Sequence, residues 1–284
     1  MLAVTGAAGH LGRAVVRNLL ERGIDPGDLV VATRHPGQVG DVHGAHVRHV
    51  DFDDVASMRD GFDGVTRLLI ISADNVGTRA HQHAAAIDTA RDTGVQHVMY
   101  TSMLSPGPQN PAVISPSHWA TEQHLRASGV PWTILRNSLY SDFQVFEAAD
   151  AVAAGRFVHN RGAGGCSYIS RDDCAAAAAA VLATPGHESL VYEFTGPESL
   201  DASALAALYA ESAGSPVEAV DIDDDELLRI SGGGEGADGH AQYGAELMVS
   251  LGQAIRGGHF ASVTSTFEEL VGTRPMSVRE VLAR

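Results

Sequence analysis

The sequence predicts an α/β fold, a doubly wound parallel sheet with a smaller C-terminal α/β lobe. Three observations predict it. Short apolar, β-branched runs alternate with helix-length segments through the first half of the chain, which is the pattern of βαβ units. A glycine-rich turn, Gly6 to Gly12, lies between the first apolar run and the first helical stripe. After residue 137 the alternation gives way to helical segments joined by short strands. A chain of 284 residues exceeds the usual ~100–200 of one domain, so a division is expected. It falls into residues 1–137, with a returning segment near 165–195, and a mostly helical lobe over 138–284.

Taken in order, strands are expected at about 1–5, 28–33, 46–50, 66–72, 96–101 and 131–136. Helices fall between them near 10–22, 54–60, 78–93 and 116–128. In the first helix Leu11, Val15, Leu19 and Leu20 form an apolar stripe, and Gly23 supplies the stop. In the second half, helical segments near 140–154, 171–183, 201–213, 223–231 and 240–256 flank a clear strand, Leu190 to Phe194. The run Ala175 to Ala180 continues into Val181 and Leu182 and reads as a helix packed closely on all sides. Ser231 to Gly236 is a flexible loop by composition, part of a 231–239 segment that serves as a lid or a surface linker. Asp223 to Glu226 reads as a solvated helix start.

All 19 basic residues are arginine, and this absence of lysine excludes Schiff-base chemistry, pyridoxal-phosphate anchoring, the P-loop and kinase lysines and the Tyr-x-x-x-Lys pair of ordinary short-chain dehydrogenases. Against 35 acidic residues they leave a net charge of −16, which argues against nucleic acid or an anionic membrane as the main partner. Cys166 and Cys174 suit neither a disulfide framework nor a zinc site and read as buried thiols. His43, His46 and His49 recur every third residue in an extended segment, so they point to opposite faces and imply no metal. The first residues lack a basic region followed by an apolar stretch, and a cytoplasmic protein is expected.

The motif Gly6-Ala7-Ala8-Gly9-His10-Leu11-Gly12 sits where a Rossmann-type sheet binds a dinucleotide. Its first glycine allows the tight turn, the second a close approach of the pyrophosphate, and the third close helix–strand packing, with the helix N-terminus facing the phosphates. About 20 residues on, where an NAD enzyme carries an acid for the ribose hydroxyls, stand Thr33 and Arg34. A guanidinium there can grip a 2′-phosphate through two hydrogen bonds, so NADPH is the expected cofactor. Asp51 and Phe52 follow the third strand and can meet the adenine, with Asp53 or Asp54 capping the next helix. Ser72 and Ala73, then Thr101 and Ser102, end the fourth and fifth strands and are small enough to admit ribose and nicotinamide.

These motifs, with Leu69-Ile70-Ile71-Ser72, Val76-Gly77-Thr78-Arg79-Ala80-His81-Gln82-His83, Tyr100-Thr101-Ser102-Met103-Leu104, His118-Trp119-Ala120-Thr121-Glu122, Leu135 to Ser141 and Arg171-Asp172-Asp173, resemble the NmrA-like atypical short-chain dehydrogenases. Within that group the chain is most similar to the bacterial type 2 NAD(P)H:quinone oxidoreductases. The resemblance implies NADPH-dependent hydride transfer to a small-molecule quinone or similar conjugated carbonyl, by a monomer or homodimer. It implies that Gly6, Gly9, His10 and Leu11 meet the pyrophosphate, Arg34 the 2′-phosphate, and Ser72, Ala73, Thr101 and Ser102 the ribose and nicotinamide. Asn137 and Tyr140 would face the reacting ring as hydrogen-bond donors, with Tyr140 or His118 as a proton relay. Gln123 stands where the group usually has a lysine on the nicotinamide ribose; an amide can hydrogen-bond there but brings no charge. That departure keeps two alternatives open: an NAD(P)-binding redox sensor acting through a protein partner, and a reductase of another conjugated or dye-like substrate.

Overall fold

A computed structural model describes residues 1–73, 75, 77–234 and 236–284. Val76, in a segment matched to the family, and Glu235, in the 231–239 loop, lie outside them. Strands β1 (Leu2–Val4), β2 (Leu29–Thr33), β3 (His46–His49), β4 (Arg67–Ile70), β5 (His97–Met103) and β6 (Trp132–Asn137) form the sheet. Two more strands, β7 (Arg156–His159) and β8 (Leu190–Phe194), follow, and β8 completes a seven-stranded order of 3-2-1-4-5-6-8. Every pairing in it is parallel. Strand β7 instead pairs in parallel with β9 (Glu218–Asp221) in a separate two-stranded sheet.

Both faces of the sheet are covered, which is why its strands read as continuous apolar runs. On one face, α1 (His10–Glu21) and α6 (Arg171–Ala183) close a core of Val4, Val15, Leu19, Val31 and Leu69 with Ala175, Ala178 and Ala179. Small alanine side chains let α6 approach α1 closely. On the other face, α2 (Val55–Phe62), α3 (Arg79–Asp92) and α4 (Ser115–Ala127) cover Ala3, Val30, Leu68, Val98 and Tyr100 with Met58 and Phe62.

The chain leaves the sheet after β6 into α5 (Gln144–Ala154) and returns through α6 and β8. Beyond them lie α7 (Ala202–Ala213), α8 (Asp224–Ile230), α9 (Gly239–Arg256), α10 (Thr266–Val271) and α11 (Val278–Leu282). A third core gathers Phe157, Leu205, Tyr209, Ile255 and Phe260, and it also takes Met103, Leu104 and Ala112 from before residue 137. A second return, not expected from sequence, brings Phe267 of α10 into the core under α1.

Asp223 caps α8 as expected, but its neighbour Asp224 is not simply solvated. It accepts hydrogen bonds from Asn160 and Gln253, both at 2.8 Å, and pairs with Arg256 at 3.1 Å. Those donors, Arg256 foremost, hold its carboxyl down to about 2. His43, His46 and His49 are exposed, and among the described residues no group of side chains could hold a metal ion. Among the same residues no helix is long and apolar enough to cross a membrane.

Candidate functional site

In this strand order the sense in which successive strands are added reverses between β1 and β4, so a crevice opens at the carboxyl ends of these parallel strands. A cavity of about 470 Å³ fills it, and Gly6, Ala8, Gly9, His10, Leu11 and Gly12 form its floor. Gly6 has φ +60°, a left-handed conformation that glycine takes without strain. A Cβ on Gly12 would lie 2.6 Å from the Ala7 Cα and nearer still to the Gly6 carbonyl oxygen, so only glycine lets α1 start this close to the turn. Several other helices carry a capping side chain, such as Asp54 on α2 and Ser170 on α6. At the start of α1, Gly9 supplies none, and the first N–H groups are left for a ligand.

Arg13 braces this floor from behind. Its guanidinium donates to the carbonyls of Ala8 at 2.8 Å and Gln38 at 2.6 Å, tying the glycine turn to the loop after β2. Arg34, at the head of that loop, is exposed, lines the cavity and makes no ion pair or hydrogen bond among the described residues. Asp51 and Phe52 line the same end. Asp54 rather than Asp53 caps α2, accepting from Ala56 and Ser57 N–H at 2.9 and 3.3 Å. Asp53 instead accepts from the Gln82 amide at 2.7 Å, and Gln82 is itself part of the wall.

Ser72 and Ala73 line the middle of the crevice, where buried side chains hold their backbone. Ser72 N–H donates to Thr101 Oγ1 at 2.9 Å, and Ala73 N–H donates to His83 Nε2 at 2.9 Å. Accepting at Nε2 places the His83 proton on Nδ1, which donates to Thr121 Oγ1 at 3.0 Å. Burial, with Arg79 nearby, pushes the His83 pKa down to about 3, so the ring stays neutral. Thr101 therefore acts behind the wall, through Ser72. Ser102 is buried and donates to Glu122 at 2.7 Å, and Glu122 forms a two-bond pair with Arg136 at 3.0 and 2.8 Å.

At the far end Tyr140 lines the cavity, and the buried Asn137 lies beside its phenol. Burial, then the neighbouring Cys174, pushes the phenol pKa well above its ordinary value. The Arg171 guanidinium covers the Tyr140 ring at 4.7 Å and also lines the cavity.

Besides Thr101, Ser102 and Asn137, two more expected site residues are not among those lining the crevice. His118 is buried, its Nδ1 is 2.8 Å from the Tyr100 hydroxyl, and burial lowers its pKa far below the usual histidine range. A neutral imidazole enclosed in this way has no route for relaying protons to the crevice. Gln123 is exposed on α4, between Glu122, which faces β5 and β6, and His124, which reaches Asp88 on α3. It is not among the residues lining the crevice. Sequence reasoning in turn missed Arg13, Gln38, Gln82 and Arg171 as site residues. Gln82 and Arg171 already stood inside family-matched segments, which was the available signal.

A glycine turn, an open helix N-terminus and a crevice at a topological switch point define a Rossmann-type dinucleotide-binding protein. Residues 6–185 match the sequence pattern of a family described as NAD(P)H-binding. Quinone oxidoreductase 2 of Escherichia coli is 36% identical over 219 residues, 76% of each chain. The solved NADPH-dependent quinone oxidoreductase of Escherichia coli, complexed with NADPH, superposes with a TM-score of 0.93 at 30% identity, covering 100% of this chain and 99% of the other. The triphenylmethane reductase of Citrobacter sp., complexed with NADP(H), gives 0.91 at 29% identity, covering 99% of each. The chain thus belongs to the NAD(P)H-binding family and is an oxidoreductase.

Proposed function

We propose that this protein reduces a quinone or similarly conjugated acceptor at the expense of NADPH, with the 2′-phosphate on Arg34, the pyrophosphate on the Gly6–Gly12 turn and the nicotinamide toward Tyr140. When bound, the cofactor supplies the hydride; the protein supplies orientation and a shielded crevice. The observation that carries the reading is that, among the described residues, the imidazoles and carboxylate lining the crevice, His10, His35 and Asp51, belong to the glycine turn and the segments after β2 and β3, while at the far end Tyr140 is the only such group. His83 and His118 are held neutral behind its wall, and Tyr140, with its pKa raised, is a weaker acid than an ordinary phenol. Such a site can donate hydrogen bonds but gives up protons reluctantly. It suits an acceptor whose reduced form is a weak base that water can protonate, as a hydroquinone anion is. Tyr140 and Asn137 are the donors to the acceptor oxygen. The relatives support the same class, since their names give a quinone and a triphenylmethane dye as acceptors. The sensor alternative rested on the lost lysine, and position 123 lies on the α4 surface, so nothing favours it.

The test is NADPH oxidation with a neutral quinone, followed optically. Tyr140→Phe and Asn137→Ala should each lower turnover about tenfold or more, because a donor to the developing charge is removed. Wild-type rates in both variants would remove these two residues from the chemistry, and a wild-type protein inert toward every quinone would overturn the function.

A further inference from the structure

Arg171 is the cleft residue whose side chain is left with chemistry to offer. It stands at the start of α6, and its guanidinium lies 4.7 Å from the Tyr140 ring centre and 4.6 Å from that of Phe143. Two aromatic contacts fix the orientation of a side chain that is otherwise floppy. Its ion pair is with Asp142 at 3.6 Å, beyond hydrogen-bonding distance, while the other Asp142 oxygen accepts from the Arg171 backbone N–H at 2.9 Å. Among the described residues the guanidinium donates no hydrogen bond, although it carries five N–H groups in a fixed fork. Its side chain is 23% exposed and faces the crevice.

Position separates this cation from the one assigned to the cofactor phosphate. Arg34 follows β2 and Tyr140 follows β6, and the order 2-1-4-5-6 sets four strand spacings between them, about 19 Å. With the glycine turn at β1 between them, a cofactor that places its phosphates on Arg34 and Gly6–Gly12 has its nicotinamide and the acceptor toward Arg171. The local charge agrees. The chain has 35 acidic against 19 basic residues, yet among the described residues the crevice is lined by two arginines and one carboxylate, Asp51. Phe143, 52% exposed, adds an apolar ring beside the Arg171 guanidinium.

Resting on the reductase reading above, we propose that Arg171 binds a negative charge on the acceptor, so that the enzyme favours planar conjugated acceptors bearing an ionised hydroxyl or a carboxylate. Tyr140 and Phe143 hold the guanidinium in place, and its free fork takes the anion with two parallel hydrogen bonds. The acidic surface would repel such molecules at long range, and Arg171 gives them a local attraction inside the crevice.

The test uses the full-length protein with saturating NADPH and two acceptors, neutral 1,4-naphthoquinone and 2-hydroxy-1,4-naphthoquinone, which is an anion at neutral pH. The quantity read is the ratio of kcat/KM for the anionic to the neutral acceptor, compared between variants so that the acceptors' intrinsic difference in reactivity cancels. Arg171→Gln should lower that ratio about tenfold or more, and Arg171→Lys, which keeps the charge but not the fork, should restore only part of it. An unmoved ratio, with the neutral quinone still turned over, would overturn this proposal and leave the reductase reading intact. A tenfold loss of NADPH affinity in Arg171→Gln, measured by fluorescence titration, would assign the guanidinium to the cofactor and also overturn it. Failure of the wild-type protein with both quinones would sink the proposal together with the function it rests on.

Discussion

Gly12→Ala probes the step by which sequence becomes a binding site. The added methyl would sit 2.6 Å from the Ala7 Cα and 2.9 Å from the Gly6 carbonyl carbon, both backbone atoms that cannot swing aside. Ordinary contact between such atoms is about 3.5 Å, so the start of α1 and the glycine turn must separate by roughly 0.6–0.9 Å. Overpacking of this kind costs about 1–3 kcal/mol of stability. The functional loss should be larger relative to wild type, because the moved atoms are the N–H groups that face the pyrophosphate, and a shift near 1 Å at such a site can cost about a hundredfold. Urea denaturation gives the stability change, and NADPH fluorescence titration of the still-folded variant gives the affinity. Gly37→Ala serves as the control: a Cβ there meets nothing within 4 Å, and it should alter neither quantity. A folded Gly12→Ala protein that bound NADPH as tightly as wild type would refute the argument that this close approach builds the site.

Further outcomes follow from the buried polar groups. Glu122 is fully buried between Ser102 and Arg136, so Glu122→Ala leaves the Arg136 charge poorly matched and should cost about 3–5 kcal/mol in urea denaturation; a loss below about 1 kcal/mol would show that the pair contributes little. The histidines make stability pH-dependent. His83 has a folded pKa of about 3 against 6.5 for an ordinary histidine, so between those values the unfolded chain binds more protons and stability falls as pH falls. Between pH 7.5 and 5.5 His83 alone should remove about 1.4 kcal/mol, and His118 acts in the same direction. His83→Asn should flatten the profile, and an unchanged slope in that variant would contradict the neutral, buried assignment.

The sheet and the cofactor floor were largely legible in the sequence because local pattern encodes them. Apolar runs of strand length, the stripe of Leu11, Val15 and Leu19, and the strand–glycine turn–helix junction each depend on residues close together in the chain. Strands β7 and β9 and helices α10 and α11 escaped, since they are four to six residues long and, unlike β1 and β4, have no apolar run longer than two residues. Arg171 and Gln82 reach the crevice from segments far from the glycine turn, and only the strand order brings them there. The errors at His118 and Gln123 share one cause, the rotation of α4. Its buried positions, Ser115, Ser117, His118, Thr121, Glu122 and Leu125, do follow helical spacing, with Gln123 off the stripe. Five of the six are polar, so a hydrophobic pattern could not reveal which face turns inward.

The central claim, that this crevice binds NADPH with its 2′-phosphate on Arg34, is tested most directly by titrating NADPH and NADH against wild type and Arg34→Ala. Two charge-assisted hydrogen bonds to the phosphate predict that wild type holds NADPH about 10–100 times more tightly than NADH. In Arg34→Ala that preference should collapse through loss of NADPH affinity alone. Equal affinities for the two cofactors in the wild-type protein, or an unchanged preference in the variant, would contradict the account.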